Sequence, residues 1–290
     1  MDAALETFQA VRPRMFGIAY RMLGTVAEAE DVVQDAWVRW QGTDRSAVRE
    51  PAAFLATTVT RLAINALDSA RARRETYIGP WLPEPVVTTD DPTLGAERAE
   101  AMSLAVLLLL ERLTPAERAA FVLHEAFDYP YRQIAEVLET SEANARQLAS
   151  RARTHLDRER ATEVSPTEKR RLLDAFTAAA LNGDLDALEA VLAEDAVALS
   201  DGGGVVRAAR KPVVGRARVA QFLLGILEKF TAGVESHPAM INGEPGFIGV
   251  RDGAPMAAWT FEVGADGVQR FLNVMNPAKL SRIAVPSGHS

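Results

Sequence analysis

The chain contains no cysteine, which removes disulfide staples, thiolate metal sites and cysteine nucleophiles together and fits a reducing compartment. Histidine is almost as scarce. The four, His124, His155, His237 and His289, lie far apart and form no pair at metal-ligand spacing, so zinc chemistry is not expected and no metal ligand or cofactor is assigned. Long apolar runs are missing too. The longest, LAVLLLL at 104–110, is far short of the roughly 20 residues that span a bilayer. The opening MDAALETFQAVRPRMFGIAY has acids early and no signal-type apolar core, so a cytoplasmic protein is expected.

What is present is ordinary globular composition: 290 residues, 48% hydrophobic and 24% charged, with a formal net charge of -7. Two or three domains, each with its own core, is the natural expectation. Acids and bases balance over residues 1–75, bases nearly vanish over 76–110, and near-balance returns beyond. Overall acidity therefore decides little; the laying of charge on each face decides more.

Residues 5–75 read as helices, with apolar residues recurring at three and four, as in Phe16, Ala19, Tyr20 and Leu23 and later Leu55, Val59, Leu62 and Ala66. The next stretch, TYIGPWLPEPVVTTDDPTLG, is rich in proline, glycine and acids and suits a linker. Within it Trp81 and Leu82 are costly to leave in water, which suggests either a local anchor or a docking peptide. Thr114-Pro115-Ala116-Glu117 has the form of a capping box with proline at the first helical position. The helix that follows should end near Asp128-Tyr129-Pro130, and YRQIAEVLE, a break at Thr140-Ser141 and a further helix complete a helix-turn-helix. From 166 on, two helices broken at Asn182-Gly183 precede strand-like stretches punctuated by Gly203, Asn242-Gly243, Asp252-Gly253 and Asp266-Gly267. One helix near 216–230 interrupts them. The expected fold is multidomain, two all-α domains followed by an α+β domain with an antiparallel sheet wrapped on helices.

The acidic chain gathers five arginines, Arg146, Arg151, Arg153, Arg158 and Arg160, into NARQLASRARTHLDRER. On a helical wheel Ala145, Leu148, Ala149, Ala152 and Leu156 form an apolar stripe, while Arg146, Gln147, Ser150, Arg151, Arg153 and Thr154 cover the other face. A solvated arginine face is the plain reading. Its place after a short turn and a capped helix favours a recognition helix, with early residues at base edges and flanking arginines on phosphates.

FGIAYRMLGTVAEAEDVVQDAWVRW resembles the second conserved region of bacterial sigma factors, PAAFLATTVTRLAINALDSARARRE their promoter-melting region, and LTPAERAAFVLHEAFDYPYRQIAEVLETSEANARQLASRARTHL their fourth region. With no third domain between them, the layout resembles the extracytoplasmic-function (ECF) type. WLPEP at 81–85, DGGG at 201–204 and NPAKL at 276–280 resemble signatures of the SigJ-like subgroup, which carries a fused SnoaL-like domain of the NTF2 type. One position departs: the family pattern follows DGGG with lysine, and here Val205 stands.

The resemblance implies a transcription initiation factor that binds RNA polymerase core through its β′ and β subunits and melts promoter DNA, and not an enzyme. It implies a region 2 domain at 1–75, a linker at 76–105, a region 4 helix-turn-helix at 106–160 and a SnoaL-like cone at 161–290. Asp31, Gln34 and Asp35 would face the polymerase β′ subunit; Arg61, Asn65, Arg71, Arg73 and Arg74, with Arg146, Gln147, Ser150, Arg151 and Arg153, would contact DNA. Trp81, Leu82, Pro83, Asp201, Gly202, Gly203, Gly204, Asn276, Pro277, Lys279 and Leu280 would form an interdomain regulatory contact, so that the last domain acts in cis. Asp201 also reads as a general base and His237 as an acid, yet no second catalytic group accompanies Asp201; a glycine turn with an interface role is preferred, and no catalytic residue is assigned. The alternative is an NTF2-type ligand-binding or enzymatic domain joined to a DNA-targeting half, with an unidentified small ligand in its cavity. A plain helix-turn-helix repressor would leave the first 75 residues unexplained.

Overall fold

The structure is a computed structural model and describes residues 3–88, 103–157, 164–230 and 233–284. The chain divides into two compact units that do not follow the expected linear order. Residues up to Thr76 join the helices from Val106 onward in one unit; the stretch from Tyr77 to residue 88 belongs instead with the C-terminal part.

In the first unit, α1 (Ala3–Leu23), α2 (Val26–Gln41) and α3 (Pro51–Glu75) pack on one another. Thr25 starts α2, its Oγ accepting from the Glu28 amide at 3.3 Å, and Pro51 opens α3 at a position where its missing amide costs nothing. Phe16, Ala19, Tyr20, Leu23, Leu55 and Val59, read from the helical period, are all buried, together with Trp40. Trp40 also donates its indole N–H to the Ala4 carbonyl at 3.1 Å, satisfying the one polar atom it brings inside.

From Val106 the same unit continues with most of α4 (Leu104–Leu110) and with α5 (Pro115–Phe121). The capping box forms in full: Thr114 Oγ accepts from the Glu117 amide while the Glu117 carboxylate takes the Thr114 amide at 3.1 Å. After α5 the chain widens into a π-helical turn over Val122–Ala126 and reverses at Asp128, whose φ is 55°. Next come α6 (Tyr131–Val137), a break through Glu139 at φ 52°, and α7 (Glu142–Asp157), which is the helix-turn-helix. Ser141 caps α7 by accepting from the Asn144 amide at 3.2 Å.

The second unit begins its own elements with α8 (Pro166–Asn182), which stops at Gly183 in the left-handed region (φ 66°), and α9 (Leu185–Val191). Then follow β1 (Leu192–Asp201), β2 (Val213–Val214), α10 (Arg216–Phe230), β3 (Glu235–Ile241), β4 (Glu244–Arg251), β5 (Ala254–Gly264), β6 (Gly267–Val274) and the short α11 (Pro277–Leu280). Hairpins turn at Asn242-Gly243 and Asp252-Gly253, each pair with positive φ at both residues, the conformation Asn-Gly and Asp-Gly favour. The strand order is β2-β1-β6-β5-β4-β3. The expectation of a wholly antiparallel sheet is corrected here: β1 pairs parallel with β6. Because the chain leaves β1 and returns through α10 before the β3–β6 meander, it makes the crossover that a parallel neighbour requires.

Cross-strand register separates the two faces of the sheet. One carries Ala198, Phe271, Phe261 and Phe247, which join Leu172 and Phe176 of α8, Leu188 of α9, and Val219 and Leu223 of α10 in the core of the unit. The rings of Phe176 and Phe261 meet edge to face at 4.9 Å between centroids. The other face carries Asp201 at one end and the Arg270–Glu262 ion pair (2.5 Å) at the other.

Candidate nucleic-acid interface and linker clasp

The five apolar residues read from the wheel of α7 are its buried ones. Opposite them Arg146, Gln147, Ser150, Arg151 and Arg153 are exposed. Three of these arginines already hold carboxylates: Arg146 reaches Glu142 at 3.1 Å and lies over the Tyr131 ring, Arg151 reaches Glu117 at 2.9 Å, and Arg153 pairs with Glu125. Glu117 is thereby held below the usual carboxylate range, its hydrogen bonds from Thr114 and the Arg151 guanidinium outweighing its burial. Arg158 and Arg160 lie outside the described residues.

The arginines of α3 are placed differently. Arg61 donates to the carbonyls of Val137 (2.9 Å) and Glu136 (2.8 Å) and lies 3.1 Å from the Glu139 carboxylate. Arg71 donates to the Leu113 carbonyl, Arg73 pairs with Glu28, and Arg74 meets Glu111 and the Leu23 carbonyl. Asn65 is exposed. Thus Arg61, Arg71 and Arg74 tie α3 to backbone and acid groups around α4–α6 inside one unit.

Glu111 is the hub of that tie, a residue sequence reasoning did not single out. Its second oxygen takes Arg118 at 2.5 Å, and Arg118, wholly buried, also donates to the Arg21 carbonyl at 3.0 Å. Burial pushes the Arg118 guanidinium down to about 9; the same cause, followed by the nearby Arg118 charge, lowers Arg74 to about 9. Both remain cationic at neutral pH. The available signal was the seven-residue spacing of Glu111 and Arg118 across the Leu-Thr-Pro turn, which places a carboxylate beside an arginine on the next helix.

On α2, Asp31, Gln34 and Asp35 are exposed on the face opposite Val32, Val33, Ala36 and Trp40. Val38 continues this outer face at 59% exposure. The face offers two carboxylates, an amide and one apolar side chain.

The second unit closes on the stretch around WLPEP. Asp201, fully buried at the end of β1, accepts four hydrogen bonds: from Tyr77 OH (2.5 Å), the Gly203 amide (3.0 Å), the Leu82 amide (2.9 Å) and the Lys279 ammonium (2.6 Å). Lys279, itself buried, donates also to the Leu82 carbonyl and sits over the Trp81 ring at 4.4 Å. Asn276 caps α11 by accepting from the Ala278 amide at 3.1 Å and donates from Nδ2 to Tyr77 OH at 2.8 Å. Leu82 is wholly buried, Leu280 nearly so, and Pro83 and Glu84 are buried beside Leu82. Further along, residues 86–88 run against the edge of β3: the Asn242 side chain and backbone exchange hydrogen bonds with Val86, and the Thr88 amide donates to the Met240 carbonyl at 2.8 Å.

The three glycines after Asp201 each have a separate reason. A β-carbon on Gly202 would stand 2.3 Å from the Val206 carbonyl oxygen; on Gly203, whose φ is 63°, 2.5 Å from Asn276 Nδ2; on Gly204, 2.9 Å from the Ile78 side chain. Tyr77 is the clasp member that sequence reasoning missed. A hydroxyl-bearing aromatic four residues before Trp81 in a proline-rich stretch was the only hint. Burial, with the hydrogen bond to Asp201 and its charge, raises the Tyr77 hydroxyl well above the usual tyrosine value. Val205 is 77% exposed and Arg207 is exposed, while the cation at Asp201 comes from Lys279. His237 lies on the sheet face away from the aromatic core, 3.4 Å from Glu235.

These features meet in one class of protein. Residues 7–73 match the family description "Sigma-70 region 2" and residues 103–156 "Sigma-70, region 4", so the helical unit is that of an RNA polymerase sigma factor. The chain is 40% identical to the ECF RNA polymerase sigma factor SigJ of Mycobacterium tuberculosis (strain H37Rv), across 98% of this chain and 97% of the relative. It is 37% identical to the probable ECF RNA polymerase sigma factor SigI of the same organism, over 66% of this chain and 67% of that one. A crystal structure of M. tuberculosis SigJ superposes with a TM-score of 0.79 at 37% identity, covering 96% of this chain and 98% of that one. The chain belongs to the ECF RNA polymerase sigma factor family. It is a transcription initiation factor rather than an enzyme, and its partners are RNA polymerase core and promoter DNA. No helix among the described residues is long and apolar enough to cross a membrane.

Proposed function

We propose that this sigma factor is regulated in cis by its C-terminal unit, which grips the connection between regions 2 and 4 at residues 77–88. One observation carries the reading: the buried carboxylate of Asp201 gathers Tyr77, the Leu82 amide and Lys279 at once. The connection is held intramolecularly, so even a modest contact free energy keeps it populated. Regulation then consists of engaging or releasing this grip, and the sigma factor needs no separate restraining protein. The acidic outer face of α2, with Asp31, Gln34 and Asp35, meets a basic surface of the polymerase β′ subunit, and region 4 meets β and the upstream promoter element. Arg146, Gln147, Ser150, Arg151 and Arg153 enter the DNA groove, and Arg61, Asn65, Arg71, Arg73 and Arg74 serve the melted element, the whole acting in the cytoplasm where polymerase works.

The test is run-off transcription with core polymerase. The full chain is compared with a chain ending at Arg160 and with full-length Asp201→Asn. Promoter-specific transcript that changes in the same direction for both altered forms is expected; equal output from all three refutes regulation through the clasp. A second reading, a ligand-binding C-terminal domain, is favoured by an uncharged polar pair on the aromatic face of the sheet.

A further inference from the structure

The aromatic face of the sheet carries one cross-strand row that the sigma function does not use. Read from β1 to β3, it runs Ser200, Asn273, Trp259, Phe247 and Pro238. Asn273 is 0% exposed and Ser200 2%. Among the described residues, neither Asn273 Nδ2 nor Asn273 Oδ1 nor Ser200 Oγ has a hydrogen-bond partner. A buried amide with both of its ends unmatched is a costly arrangement, and native cores keep one rarely without a use. The three remaining members of the row differ in kind: Trp259 and Phe247 are half-buried and Pro238 is exposed. Burial thus rises along the row, from an exposed proline past two half-buried rings to one donor-and-acceptor amide and one hydroxyl that are buried, with no charge along it.

We infer that this row is a binding site for a small, neutral, largely apolar molecule bearing a carboxamide or lactam group. The ligand carbonyl accepts from Asn273 Nδ2, its N–H donates to Asn273 Oδ1, Ser200 Oγ adds a further bond, and the apolar body lies along Trp259 and Phe247. Asn273 is suited to this pairing because an amide is its own complement, offering one donor and one acceptor side by side. An anion is disfavoured: the row supplies no cation, and desolvating a carboxylate there would go uncompensated. Ser200 precedes Asp201 in β1 with its side chain on the opposite face, so an occupant bears on the strand that ends in the linker clasp. The inference rests on the ligand-binding reading of the C-terminal domain and is independent of the clasp.

The test uses the full chain with three probes of similar size: benzamide, ethylbenzene and benzoate. Binding is followed by calorimetry and by the side-chain amide resonances of Asn273. Benzamide is expected to bind and shift those resonances, and benzoate to bind at least about tenfold more weakly. Asn273→Leu, close to Asn in shape, should weaken benzamide by about tenfold or more while leaving ethylbenzene within about twofold. The variant should also melt no lower than the parent, because it removes two unmatched polar atoms. Ser200→Ala gives a smaller loss and decides the matter if the leucine variant does not fold. Ethylbenzene binding with no preference for benzamide, or equal benzamide affinity in parent and variants, overturns the amide site but leaves a ligand-binding domain standing. No binding by any probe overturns both.

Discussion

Replacing Asp201 by asparagine tests the clasp at its centre. In the parent, one carboxylate oxygen takes Tyr77 OH and the Gly203 amide, and the other takes the Leu82 amide and the Lys279 ammonium. Asparagine keeps one acceptor oxygen and turns an NH2 toward the two donors on the other side, so two hydrogen bonds become donor against donor. The larger loss is electrostatic. Lys279 has a side chain only 8% exposed and would be left inside without its counter-charge, a change that typically costs about 3–5 kcal/mol. The linker can escape that cost by leaving, since release hydrates Lys279. The substitution therefore registers first as undocking of the linker and only then as global unfolding.

Hydrogen exchange at the Leu82 amide reads this directly, because that N–H donates to Asp201. At about 1.4 kcal/mol per tenfold, exchange should speed up by roughly two to three and a half orders of magnitude. The double variant Asp201→Asn with Lys279→Met removes the stranded charge and should regain much of the protection. Leu82 exchange within threefold of the parent, or a double variant no better protected than the single, would refute the argument.

Three further outcomes follow from the same geometry. Tyr77 binds its proton more tightly folded than unfolded, so its contribution is complete below the ordinary tyrosine value near 10 and drains as pH rises toward the raised folded value; thermal melts above pH 10 should fall more steeply for the parent than for Tyr77→Phe. Gly203→Ala should lower stability by about 1–3 kcal/mol, more than Gly253→Ala, since both have positive φ but only the first meets a side chain, Asn276 at 2.5 Å; equal denaturation midpoints for the two would count against the close approach. Glu111→Gln leaves the buried Arg118 without its carboxylate and takes one of two from Arg74, which keeps Glu28, and should cost about 3–5 kcal/mol in denaturant unfolding of the helical unit, whereas Glu142→Gln, breaking an exposed pair with Arg146, should cost under about 1 kcal/mol.

Local rules carried far along this chain. The capping box at Thr114–Glu117, the stop at Gly183 and the hairpins at Asn242-Gly243 and Asp252-Gly253 lie where the residues place them, because each depends only on near neighbours. The apolar stripe of α7 is legible for the same reason. What was not legible depends on contacts between distant residues. Nothing in LAEDAVALSD tells a parallel from an antiparallel neighbour, since both need only alternation. Tyr77 and Asp201 are separated by 124 positions, and no period links them. The arginines of α3 illustrate the harder case: a helix end rich in arginine reads the same whether it faces phosphate or backbone carbonyls.

That distinction answers why an acidic chain concentrates arginine on α7. Arg146, Arg151 and Arg153 have side chains 63%, 53% and 54% exposed and meet their carboxylate partners from the solvent side; the exposed pair of Arg146 with Glu142 is worth about 0–1 kcal/mol. Such pairs are readily exchanged for phosphate, and they keep the face near neutral until DNA arrives. Arg61, Arg71 and Arg74 instead satisfy the carbonyls of Val137, Leu113 and Leu23, so lending them to DNA requires α3 to part from the segment around α4–α6 and, for Arg74, from the end of α1. Free protein should therefore bind duplex DNA through α7 alone. Arg151→Ala and Arg153→Ala should each reduce the salt-dependence slope of duplex binding by about 1, while Arg61→Ala should leave that slope unchanged for the free protein and lower promoter opening once core polymerase is present. A slope equally sensitive to Arg61 and Arg151 in free protein would mean that α3 is already released, and the ties through Val137 and Leu113 would then have no restraining role.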